Sequence, residues 1–145
     1  MFLPGQILYF DSFQFKNGNQ PKSKYFLIIA NMNNKLIIAS LPTRTNTVPS
    51  FVTIDHGCIN IDERCYNSYL FEKGKVIGQK GFSFDMTTFI YGDQVEDYDL
   101  ETFEVNSIEG VDYVILDSLI SAELEAIIKC FKNSNSVKNK IKKRL

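Results

Sequence analysis

Apolar residues fall in short runs broken by polar, Gly or Pro positions through most of the chain, the rhythm of strands. Gln6-Ile-Leu-Tyr-Phe10 follows Pro4-Gly5 and predicts a first strand, which Phe13-Gln-Phe15 continues past a kink. Lys16 to Lys24 reads as a polar loop holding Gly18 and Pro21. Tyr25-Phe-Leu-Ile-Ile-Ala30 is continuously apolar, as in a strand buried on both faces. Leu36 to Leu41 is the next strand. Asn33-Asn34 suits a tight hairpin turn between the two, because Asn tolerates positive φ. Further short strands are predicted over Ser50–Ile54, Tyr69–Phe71 and Val76–Ile77, while Phe82–Tyr91 is aromatic and Thr-rich but alternates poorly. Tyr113–Leu116 is a strand or the approach to a helix.

One helix stands out. Leu124, Ile127, Ile128 and Phe131 make an apolar stripe, with Ser121 as N-cap and Asn133–Ser136 as the stop. Short strands followed by one late helix predict a mainly β, antiparallel barrel of five to seven strands with a C-terminal helix. Residues 1–133 form this single domain, and 134–145 are expected to be a mobile basic tail.

Composition adds bounds. The chain has 145 residues, 44% hydrophobic and 23% charged, enough for one core and inconsistent with disorder. The net charge of −1 hides an asymmetry: Lys129 onward carries seven Lys/Arg and no acids, while residues 93–117 carry nine acids and no Lys or Arg. The acidic stretch is either a solvated face or a docking surface, and it would repel nucleic acid. The tail is either a solubilising end or a contact for nucleic acid or a partner. No apolar run is long enough for a transmembrane helix, and the first residues do not resemble a signal peptide. A cytoplasmic location is therefore expected, with Cys58, Cys65 and Cys130 as reduced thiols. Six residues separate Cys58 from Cys65 and no second pair exists, so no zinc site is expected with His56.

Pro4-Gly5-Gln6-Ile7, the polar loop, Lys22-Ser-Lys24-Tyr25 before an apolar strand, and Leu41-Pro-Thr43 together resemble the start of MazF/PemK-type toxins. The resemblance covers roughly residues 4–45. It implies an SH3-like barrel, a homodimer, an antitoxin protein as partner, and cleavage of single-stranded RNA without a metal or other cofactor. The family's Arg and Thr fall on Lys24 and Thr43, and Arg44 follows where the family has Ser; Lys24, Thr43 and Arg44 are the candidate catalytic set. Lys24 stands where the family has Arg, Tyr25 where it has Pro, and Gln6 where it has an acid. Arg grips a phosphate with two parallel bonds, and Lys offers a point charge.

Such cleavage needs a group to take the 2′-hydroxyl proton, a donor to the leaving oxygen and positive charge on the phosphorane. Lys24 and Arg44 lie at the same end of the predicted hairpin and supply charge, and Thr43 supplies a neutral donor. Lys16 and Lys22 would guide the RNA backbone as substrate-binding residues. The bland alternative is that these are ordinary solvated loop charges. An architecture without the catalytic role would be a non-catalytic SH3-like module binding a protein or RNA. His56 is either a base or a structural residue.

Overall fold

The computed structural model describes residues 2–13, 22–41 and 55–145, and everything below concerns those residues. They form eight strands and three α-helices: β1 (Gln6–Phe13), β2 (Lys22–Met32), β3 (Lys35–Leu41), β4 (Gly57–Ile61), β5 (Tyr66–Phe71), β6 (Thr88–Tyr91), β7 (Glu96–Asp99), α1 (Leu100–Asn106), β8 (Tyr113–Ser118), α2 (Ser121–Lys132) and α3 (Asn139–Lys142).

Mainly β structure, antiparallel pairing and the C-terminal helix all match the sequence reading. The barrel does not. The strands divide into a five-stranded sheet ordered β7-β3-β2-β1-β8 and a three-stranded sheet ordered β4-β5-β6. Among the described residues no strand pairing joins the two, so the arrangement is two packed sheets rather than a closed barrel. The strand predicted over Ser50–Ile54 lies outside the described residues. Val76–Ile77, predicted as a strand, is irregular chain after the turn at Gly74.

The β2–β3 hairpin forms as its sequence demands. Asn33 and Asn34 sit at φ 53° and 62°, the two left-handed residues of a tight hairpin turn. Side chains of β2 then alternate between two cores. Phe26 and Ile28 join Phe2, Leu8, Phe10, Phe13, Phe103 and Tyr113 on one face. Leu27 and Ile29 join Ile7, Ala39, Leu41, Tyr69, Phe71, Ile127 and Phe131 on the other, beneath the second sheet and α2. The continuous apolar run is thus buried on both sides, as read.

Helix α2 begins where expected, although Ile120 rather than Ser121 is its N-cap and no side chain caps it. The basic tail is a correction. Its Val137 and Ile141 are buried in the core beside α2, so the chain end is docked rather than mobile. Lys138 reaches Glu96 at 3.7 Å and Lys140 reaches Asp97 at 3.4 Å. The two opposite charge runs of the sequence therefore face each other. Each exposed pair contributes little stability, but the charge each run offers to an outside partner falls.

The cysteines are a second correction. Cys58 on β4 and Cys130 on α2 form a disulfide, and Cys65 alone is an exposed free thiol. A thiol reading based on an odd count missed a pair 72 residues apart. No helix among the described residues is long and apolar enough to cross a membrane.

Candidate functional site at the open end of the large sheet

Lys24 lies within β2, not in a loop: it is half-buried and stands opposite Phe10 of β1. Its neighbour Tyr25 pairs with Leu41, the last described residue of β3. The register therefore brings the Lys24 end of β2 beside the point from which the chain continues to Thr43 and Arg44. Those two residues, and Lys16, lie outside the described residues. Lys22 opens β2 opposite Phe13.

Alternation puts Lys24 on the Phe10 face and Tyr25 on the opposite one. There the rings of Tyr9 and Tyr25 are 5.0 Å apart, and Phe84 meets Tyr25 edge-on at 6.1 Å. Tyr25 and Leu41 form one wall of a recess of about 350 Å³, and Phe82, Phe84, Asp85 and Met86 form much of the rest.

The segment carrying Phe82 and Phe84 is held by Asp117 of β8, a buried carboxylate that the sequence reading passed over. Its oxygens accept the backbone N–H groups of Lys80 at 3.0 Å, Phe82 at 3.1 Å and Ser118 at 2.7 Å. Burial alone would push this carboxyl up. The three N–H bonds and the Lys80 charge outweigh it, and the net position is below the usual aspartate range. Only glycine fits at position 78, where a Cβ would come within 2.1 Å of Asp117 Oδ2.

His56 is engaged elsewhere. Its Nδ1 accepts the Glu72 backbone N–H at 3.1 Å, so Nε2 carries the hydrogen and donates to Glu123 Oε1 on the first turn of α2. The Tyr69 hydroxyl donates to the same oxygen at 2.8 Å. Burial, then the hydrogen bond to Glu123 and its charge, push the Tyr69 phenol above its ordinary value. With both nitrogens used, His56 ties the start of β4 to α2 rather than offering a base. The same geometry, with Cys58 in a disulfide, removes two of the three ligands that a zinc reading would need.

The β2–β3 hairpin pairs as read, and Lys24 lies near the end of β2 that meets the last described residue of β3. Sequence reasoning missed the aromatic wall because Tyr25 sits in a run that reads as wholly buried, and Tyr9 in one too short to show alternation. Compared with known proteins, the chain matches no family model, no curated protein and no solved structure.

Proposed function

We propose that the chain is a metal-independent endoribonuclease acting on single-stranded RNA, of the toxin–antitoxin kind its opening residues resemble. The observation that supports this best is the Tyr25–Leu41 register, which carries Lys24 to the exit of β3 toward Thr43 and Arg44. In this reading Lys24 and Arg44 stabilise the charge that builds on the phosphorane as the 2′-hydroxyl attacks, and Thr43 donates to a non-bridging oxygen. Lys16 and Lys22 guide the strand. The reading carries with it an SH3-like ancestry, a homodimer and an antitoxin protein as partner; the Cys58–Cys130 disulfide weighs against the cytoplasmic setting expected with it.

A non-catalytic module that binds RNA or protein is the second reading. It is favoured by Lys24 in place of Arg and by the only histidine having both nitrogens occupied. The test is cleavage of labelled single-stranded RNA with and without chelator. Wild type should cut in both. Lys24→Ala should slow cutting by about 10²–10³-fold, and Lys24→Arg should hold or raise the rate, because a guanidinium restores two-point phosphate contact. Equal cutting by wild type and a folded Lys24→Ala would refute the assignment. If neither wild type nor Lys24→Arg cuts, the binding module replaces the enzyme.

A further inference from the structure

The five-stranded sheet ends in a transverse row. Register aligns Val114 of β8, Tyr9 of β1, Tyr25 of β2 and Leu41 of β3 across four strands on one face. The adjacent row of that face, Ile7, Leu27 and Ala39, is sealed beneath the second sheet and α2, with no residue more than 1% exposed. The outer row is only partly sealed: Leu41 is buried, but Tyr9 and Tyr25 are half-buried, and Val114 is 45% exposed. The recess beside Tyr25 opens from this row, and Met86 on its rim is 51% exposed.

Two features say what fits. The walls are aromatic: Tyr25 on the sheet, Phe84 touching it edge-on at 6.1 Å, and Phe82 edge-to-face on Phe84 at 4.9 Å. The polar lining is mixed: the Ser83 and Tyr25 hydroxyls can donate or accept, and one group is a fixed acceptor. Asp85 as a carboxylate can only accept, and the Thr88 hydroxyl already donates its hydrogen to the Met86 carbonyl at 2.8 Å. A planar ring with outward-pointing N–H groups satisfies both features. A phosphate does not, because Asp85 repels it.

We infer that this recess seats one unpaired nucleobase against Tyr25, and that Asp85 selects a base with an exocyclic amino group, adenine, cytosine or guanine, over uracil. The inference rests on the RNA reading above and deepens it: the phosphates stay outside, and the base enters. Aromatic stacking gives the sequence-tolerant part of such affinity, and a carboxylate accepting from an amino group gives the discrimination.

The test uses the full chain and labelled 2′-O-methyl hexanucleotides of A, C or U, which lack the nucleophile and cannot be cut. Fluorescence anisotropy should show the A and C oligomers bound at least about fivefold more tightly than U. Tyr25→Ala should weaken binding of all three by at least about fivefold. Asp85→Asn alters an exposed side chain and so preserves the fold. It should narrow the gap between C and U, since an amide donates as well as accepts. Equal binding of C and U by wild type would overturn the inference. So would a C-to-U preference unchanged in Asp85→Asn, and so would no binding of any oligomer, which would leave the recess to a peptide side chain. Cleavage of unmodified RNA, measured separately, keeps the two ideas apart. Cutting without Asp85-dependent preference sinks the base seat and leaves the nuclease. Asp85-dependent binding without cutting sinks the nuclease and leaves the seat.

Discussion

The two faces of the five-stranded sheet are covered by different chemistry. On one, rings pack on rings: Phe2 against Phe103 at 4.9 Å, Phe10 against Tyr113 at 5.2 Å, Phe13 against Phe26 at 4.4 Å. Short α1 closes that face with its single buried residue, Phe103. On the other face the core is largely aliphatic, and discrete ties hold the covering layer: the Cys58–Cys130 bond, the His56–Glu123–Tyr69 chain and the Asp117 anchor. Aromatic burial is non-directional and indifferent to redox state and mild acid. The ties do not share that indifference: the disulfide opens on reduction, and the Asp117 anchor is lost in strong acid. The molecule should therefore have one insensitive face and one conditional face.

Denaturant titration of paired variants is the strongest way to break this contrast. Phe10→Ala should cost about 3–5 kcal/mol. Removing the disulfide, as Cys58→Ser with Cys130→Ala or by reduction, should cost on the order of 4 kcal/mol in the chain-entropy account, given the length of chain it closes. The sheet stands between these changes, so together they should add to within about 0.5 kcal/mol. A large coupling would show the faces to be one unit.

Glu123→Gln should cost less, about 1–3 kcal/mol, because it weakens the shared acceptor of two buried donors. The fall should shrink when Tyr69 is already Phe, a cycle readable in thermal melts. Equal falls in both backgrounds would mean that the two donors do not share that oxygen.

pH gives the mildest and most face-specific probes. Asp117 titrates lower in the folded chain than in the unfolded one, so its contribution is present above the ordinary aspartate value. It is lost as pH falls through the folded value, and acid should loosen the conditional face first. Tyr98, packed with Phe13 and Phe103 on the aromatic face, is pushed up to about 12 by burial and by the charges of Glu96 and Asp97. Its contribution is full below pH 10 and declines above it, and Tyr98→Phe should remove that alkaline part. Melting temperature against pH, with Asp117→Asn and Tyr98→Phe alongside, checks both directions.

How far the sequence announced this fold depended on local signal strength. The β2–β3 hairpin was legible because two Asn residues mark the turn and continuous apolar runs flank it. Helix α2 was legible from four apolar residues at helical spacing. Helix α1 was not, since Leu-Glu-Thr-Phe-Glu-Val-Asn buries only Phe103 and carries no stripe; its start is announced only by Asp99, whose side chain accepts the Thr102 N–H at 3.1 Å. Strand β7 is four residues at a sheet border with one aromatic among three acids, too short for alternation to register. Val137 and Ile141 sit four apart in a basic, polar segment, so docking of the tail could not be told from fraying. At the candidate site, a short motif located Lys24. The aromatic wall is assembled from distant segments: register joins Tyr9 to Tyr25, and the Asp117 anchor holds the segment that brings Phe84.

The position of the disulfide has a consequence for the architecture. The segment between Cys58 and Cys130 contains β7 and β8, which form opposite borders of the five-stranded sheet. The N-terminal meander β1–β3 lies outside that segment in sequence but between its two strands in space. The closed loop is thus a strap passed around both sides of the meander and buckled behind it. A single backbone cut at the exposed turn of Gly110 would separate β7 from β8 along the chain, yet the buckle would keep both fragments in one molecule, with the meander, itself part of the N-terminal fragment, still held between β7 and β8. Opening the buckle after such a cut would let the two halves part.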